Sequence, residues 1–150
     1  MTDQAENQTD PSIGLNNIYL KDASFEAPNS PEIFNNASQP EFEVNMGIET
    51  ESLEQDFYEV VLNITVTATI KDKTAFLVEV KQGGVFTLTG FDDDTMGQII
   101  GIYCPTQLFP YAREAVASLI GRGGFPPLLL DPINFEQVYY DQMQAQGDVH

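Results

Sequence analysis

Asp92-Asp93-Asp94 is the densest run of potential metal ligands in the chain, and Glu and Asp elsewhere offer many potential acid–base pairs. Consecutive residues at a helix start splay apart, and the ligand spacing of a calcium loop is missing. The run reads instead as a helix start, where carboxylates cap free N–H groups and suit the positive end of the dipole. Zinc would need a Cys/His cluster, and one cysteine with one terminal histidine cannot supply it. His150 ends the chain, so neither a Ser-His nor a Cys-His nucleophile is expected. Cys104 lies in the apolar stretch Ile102-Tyr103-Cys104-Pro105 and reads as a buried, inert thiol. Gly121-Arg122-Gly123-Gly124 follows a helix instead of opening one, so the dipole there has the wrong sign for phosphate. Carboxylate pairs discriminate nothing in so acidic a chain. The reading is therefore of no catalytic residue, no metal and no cofactor, which moves attention from reactions to surfaces.

Those surfaces carry an unusual charge. The 150 residues include 23 acidic and 6 basic side chains, a formal net charge of −17. Nucleic acid and anionic membranes attract basic surfaces, so both are disfavoured as partners, and a basic partner is the complement. Solubility alone is the competing explanation of the charge. A hydrophobic content of 42% is too high for a wholly disordered chain, and the length suits one domain. A lone cysteine excludes an intrachain disulfide and is consistent with a reducing compartment. The N-terminus lacks the basic and apolar regions of a signal peptide, and no apolar run approaches the ~20 residues of a membrane span. The expected location is cytoplasmic, without direct membrane insertion.

The elements that must present these surfaces follow from periodicity. Tyr58, Val60, Leu62, Ile64, Val66, Ala68 and Ile70 alternate with mostly polar residues, the mark of a half-buried antiparallel strand. Lys71-Asp72-Lys73 is a polar turn, and Thr74 to Gln82 returns to complete a hairpin. Gly83-Gly84 predicts a bulge or bend before Val85 to Thr89. Gly14 to Ala27 and Glu41 to Ile48 read as two further strands, separated by an Asn-, Ser- and Pro-rich loop that holds Ile33 and Phe34. Pro105 and Pro110 are expected to break or kink the helical pattern. A helix then spans Tyr111 to Arg122 with Ala112, Ala115, Val116, Leu119 and Ile120 on one stripe, and a last helix opens at an Asn134 cap. Strands followed by helices predict an α+β fold, a four-stranded antiparallel sheet with two main helices packed on one face. The expected organisation is an acidic tail over 1–12, one domain over 13–145 and a short tail over 146–150.

Several blocks then agree in order and spacing. Phe109-Pro110-Tyr111-Ala112-Arg113-Glu114, Gly121-Arg122-Gly123-Gly124-Phe125-Pro126-Pro127 and Pro132-Ile133-Asn134-Phe135 resemble the SecB family of bacterial export chaperones. Lys21-Asp22-Ala23-Ser24-Phe25-Glu26-Ala27-Pro28 resembles that family's first strand. Tyr58-Glu59-Val60-Val61-Leu62 and Phe76-Leu77-Val78-Glu79-Val80 resemble its central hairpin. The likeness runs from about Ile18 to Met143.

Alternation puts Asp22, Ser24 and Glu26 on one face of the first strand, provided no bulge intervenes, and Leu77 and Glu79 on one face of the hairpin's return strand. Read alone, this is either a solvated sheet face or a docking patch. The resemblance implies the second: Asp22, Glu26, Leu77 and Glu79 match positions that dock the export ATPase SecA through its basic, zinc-bearing C-terminal element. The apolar loops likewise either cover their own core or stay open. The resemblance implies an open groove for unfolded, extended polypeptide, formed by Ile33, Phe34, Phe42, Val44, Phe125, Leu128, Leu130, Phe135, Tyr139 and Met143. One departure is Ser38, where relatives often carry Trp; the chain has no Trp at all.

The function so implied is an ATP-independent, non-enzymatic chaperone that holds precursor proteins unfolded and delivers them to SecA for translocation. The resemblance also implies a homotetramer built as a dimer of dimers. The sheet edges and the helical stripe Ala112 to Ile120 are its candidate interfaces. The alternatives are a small α+β ligand-binding protein or enzyme with a sheet–helix cavity, for which no convergent polar groups are evident, and a purely structural acidic adaptor.

Overall fold

The structure, a computed structural model, describes residues 10–148. In chain order it contains β1 (Ser12–Glu26), a 3-10 turn (Glu32–Asn35), β2 (Glu41–Ser52), β3 (Phe57–Ile70) and β4 (Lys73–Thr89). Then come α1 (Asp93–Gln98), a π-helical segment (Ile99–Tyr103), α2 (Cys104–Arg122) and α3 (Phe135–Asp148). The strands form one antiparallel sheet in the order β1-β4-β3-β2. α2 crosses the inner face of β4 and β3, which is the expected α+β architecture. The polar tail expected over residues 1–12 falls mostly outside the described residues, and its last member, Ser12, already opens β1 opposite Thr89. At the other end α3 runs helically to Asp148, into the segment expected to be a tail, while His150 lies outside the described residues.

The core follows from the alternation in β3. Val60, Leu62, Ile64, Val66 and Ala68 are all fully buried, and Val78, Val80, Phe86 and Leu88 of β4 join them. Leu108, Ala112, Val116 and Ile120 of α2 lie over this surface with no exposed area. Ala112, Val116 and Ile120 of the stripe are therefore the inner layer of the subunit's own core. These three cannot be an interface between subunits, a correction that follows from their spacing: at i, i+4 and i+8 they share the helix face turned to the sheet, while Ala115 and Leu119 of the same stripe are only partly buried.

Two local expectations fail for physical reasons. The prolines do not divide the helix, because the chain runs helically from Asp93 to Arg122 through the π segment. There the Cys104 N–H reaches the Ile99 carbonyl five residues back, so the ladder is already widened where Pro105 removes a donor. Pro110 sits inside α2, and burial of its neighbours Leu108, Phe109 and Ala112 outweighs the lost hydrogen bond. Gly83 and Gly84 do not bulge β4: they pair in unbroken register with Val61 and Val60 of β3 and with Tyr19 and Ile18 of β1. The register shifts lie elsewhere, in β1 between Leu15 and Asn17 and between Leu20 and Asp22, and in β4 at Ala75, between the partners of Ala68 and Thr69. The glycines serve close approach instead: a Cβ on Gly83 would lie 2.6 Å from the Tyr19 ring, and one on Gly84 would lie 2.9 Å from Leu108.

Caps obey the local rules. Asp92 Oδ1 accepts the Thr95 N–H at 2.8 Å, and Asn134 Oδ1 accepts the Gln137 N–H at 3.1 Å. In the β3–β4 turn, Lys71 and Asp72 take φ values of 49° and 69°, the type I′ geometry that matches strand twist. Neither residue is a glycine, and left-handed backbone costs an ordinary residue roughly 1–2 kcal/mol. Asp72→Gly is expected to stabilise the fold by about 1 kcal/mol, read as a higher urea midpoint; an unchanged or lower midpoint would show the turn to be unstrained.

Candidate functional site

The inner face of β2 is the feature that α2 leaves uncovered. Phe42, Val44, Met46 and Ile48 project on the same side as the core, opposite Ala68, Val66, Ile64 and Leu62 of β3. They nevertheless remain between 38% and 46% exposed. From Phe42 to Ile48 this apolar row runs about 20 Å at the usual strand rise. One end opens into a cavity of about 280 Å³ lined by Phe34, Phe42, Ile70, Phe76 and Phe125. Its aromatic rings form a chain: Phe42 to Phe76 at 6.3 Å, Phe76 to Phe125 at 5.0 Å and Phe125 to Phe34 at 5.0 Å between centroids. The other end is a cavity of about 170 Å³ between Met46, Ile48 and Leu62 on the sheet and Ile133, Phe135 and Val138 beside α3. Ser38 is in the wall of the first cavity.

The structure divides the ten residues expected in a groove. Phe34, Phe42 and Phe125 meet in the aromatic cavity with Ile33 behind them, and Val44 continues the row. Leu130 and Phe135 are core residues, 8% and 5% exposed, and Leu128 is partly buried against the core. Of the three consecutive leucines, Leu129 is the open one at 68%. Tyr139 holds α3 against the π segment: a Cβ on Gly101 would lie 2.6 Å from its ring. Met143 is exposed one turn further along α3. Sequence reasoning missed Met46, Ile48 and Phe76. The alternation of Phe42, Val44, Met46 and Ile48 was the available signal for the first two.

The opposite face of the sheet is polar. Both β1 bulges precede Asp22, so Asp22, Ser24 and Glu26 alternate undisturbed, opposite Lys81, Glu79 and Leu77 of β4. Asp22, Glu26, Leu77 and Glu79 therefore share one outward face. Glu59 lies on it too, accepting hydrogen bonds from the Tyr19 hydroxyl and from Lys21 Nζ at 2.8 Å. The bonds from Lys21 and then Tyr19 hold the Glu59 carboxyl below its ordinary range, while the Glu59 bond raises Lys21. Because Glu59 is depressed, the pair stabilises the fold above the unfolded carboxyl range near 4.5 and is lost as pH falls through the folded value. At neutral pH it is intact.

Among the described residues no group of three or more His, Cys, Asp or Glu is placed to hold a metal ion. Burial pushes the Cys104 thiol up to about 12, so it is a packing residue at neutral pH. An apolar groove on one side of an edge strand and an acidic sheet on the other can bind chains.

The family model described as preprotein translocase subunit SecB matches residues 6–146. The chain belongs to the SecB family. Among curated relatives, the protein-export protein SecB of Hydrogenovibrio crunogenus is 48% identical over 144 residues, covering 96% of this chain and 97% of that one. SecB of Methylococcus capsulatus is 47% identical, covering 91% and 88%, and SecB of Halorhodospira halophila is 52% identical, covering 86% and 75%. Among solved structures, a Mycobacterium tuberculosis SecB-like chaperone in complex with an antitoxin peptide aligns with a TM-score of 0.68. It is 15% identical and covers 81% of this chain and 90% of that one, which shows a shared fold. As a SecB, the chain is a protein-export chaperone. Among the described residues no helix is long and apolar enough to cross a membrane.

Proposed function

We propose that this SecB holds precursor polypeptides unfolded along the inner face of β2 and passes them to SecA, without nucleotide and without catalysis, in the cytoplasm. The observation that carries the reading is the uncovered apolar row Phe42–Ile48 between two apolar cavities. Each client side chain buried there contributes at ~25 cal/mol per Å² of apolar area, and β2 is an edge strand whose outer backbone groups suit an extended segment. Such contacts are weak and tolerant of sequence, so affinity comes from many of them on one chain. The M. tuberculosis SecB-like chaperone, solved with a bound peptide, supports peptide binding by this fold. Delivery uses the outward acidic face, where Asp22, Glu26, Glu79 and Leu77 meet SecA's basic C-terminal element.

Assembly into a tetramer is part of the same reading. β1 is the other open edge, and its inner face exposes Ile13, Leu15 and Leu20. A cleft of about 410 Å³ between Leu20 and Tyr111 extends that surface onto α2. An open edge beside exposed apolar side chains calls for cover. The domain is read as residues 13–145.

The test is suppression of aggregation of an unfolded, signal-bearing precursor. Suppression that saturates at a fixed ratio of client to protein, in the absence of nucleotide, is expected, with a mass in solution near four times 16.6 kDa. No suppression at any ratio would sink the client reading, and a monomer in light scattering at micromolar concentration would sink the assembly.

A further inference from the structure

The outward face of the sheet is not uniformly acidic, and its uneven charge suggests how a basic segment lies on it. Its residues fall into rows that cross all four strands. One row is Glu26, Leu77, Thr67 and Glu43, and the next is Ser24, Glu79, Thr65 and Asn45. These rows hold carboxylates, hydroxyls, one amide and a single leucine, and no cation. The rows beyond them carry Lys81 opposite Asp22, and then Lys21, which is bonded to Glu59 and lies near Glu49 and Glu51. At the other end Lys71 occupies the β3–β4 turn just past Thr69, the partner of Glu41.

We infer that a basic segment docks in a lane running across the strands from Glu26 over Leu77 and Thr67 to Glu43, with Glu43 of β2 a contact and Lys81 the barrier on one side. The inference rests on the docking reading above and extends it to β2. Charge complementarity selects the occupant, because cations of a partner meet carboxylates and no lysine inside the lane, while beyond it Lys81, Lys21 and Lys71 offset the carboxylates of Asp22, Glu59 and Glu41. Geometry sets its length. Three interstrand steps of ~4.8 Å span about 14 Å, the reach of about four extended residues. A matching segment carries basic side chains at both ends of such a stretch, with an apolar residue near the Glu26 end to meet Leu77. Glu51 is a built-in control on the same strand and face, about 27 Å from Glu43 and so several screening lengths away at physiological salt.

The experiment titrates a zinc-loaded peptide of SecA's basic C-terminal element against wild type, Glu43→Lys, Glu51→Lys, Lys81→Gln and Glu79→Lys, with client binding and thermal unfolding measured on each. Glu43→Lys is expected to weaken the peptide roughly tenfold and Glu51→Lys less than about twofold, although both change net charge equally. Lys81→Gln is expected to tighten it. Client binding and unfolding stay at wild-type values, since Glu43 is exposed and faces away from the groove. If Glu79→Lys weakens the peptide while Glu43→Lys binds like wild type or like Glu51→Lys, the lane is wrong and the docking patch is confined to β1 and β4. If Glu79→Lys itself has no effect, the docking reading falls and the lane with it.

Discussion

Serine at both Phe42 and Val44 is expected to weaken the holding of an unfolded client by roughly thirtyfold, corresponding to about 2 kcal/mol of apolar burial lost on binding. Both side chains are about half exposed in the folded chain, so their removal costs the fold little. The contrast is Leu130→Ser, which removes a core side chain 8% exposed and is expected to cost about 2–5 kcal/mol of stability. The two variants therefore separate loss of the groove from loss of the fold. Client affinity measured by titration, with thermal unfolding run in parallel, reads both. Wild-type client affinity in a normally stable Phe42→Ser/Val44→Ser protein would remove the groove from β2.

A second large effect is expected at the docking face. Glu79→Lys places a cation in the centre of the row Ser24–Glu79–Thr65–Asn45, between the carboxylates of Glu26 and Asp22 on the neighbouring strand. Affinity for SecA's basic C-terminal element should fall roughly tenfold or more, and Glu79→Gln should cost less because it removes attraction without adding repulsion. Raising salt should weaken the wild-type complex mainly through slower association, since charges at a partly exposed interface are screened over roughly 8 Å at physiological ionic strength. Client holding should be untouched, because Glu79 and the groove lie on opposite faces of one sheet. Equal binding by wild type and Glu79→Lys would show the patch to be solvated surface.

What could be read from the chain alone was whatever depends on near neighbours in sequence. Alternation in Tyr58–Ile70 assigned each residue of β3 to its face because strand side chains repeat every second position whatever surrounds them. Asp92 and Asn134 were legible as caps because a cap bonds an N–H only three residues away. The shared face of Asp22, Glu26, Leu77 and Glu79 followed from the same period, since the bulges in β1 happen to fall before Asp22. The blocks around Phe109, Gly121 and Asn134 identified the SecB family before any coordinates.

Only the tertiary structure decided which apolar surfaces stay open. Phe42–Ile48 and Val60–Ala68 show similar alternation, yet one row is half exposed and the other fully buried, because α2 crosses β3 and β4 and stops short of β2. Leu128, Leu129 and Leu130 are identical in type, and only the path of the loop over the core exposes the middle one. Gly83 and Gly84 read as a bulge until Tyr19 and Leu108, far away in sequence, are seen to occupy the space their missing side chains leave. Pro110 reads as a break until the burial of its neighbours on the sheet is seen to hold the helix through it. In each case the deciding energy comes from a contact between residues distant in the chain, and local pattern carries no information about where the second partner lies.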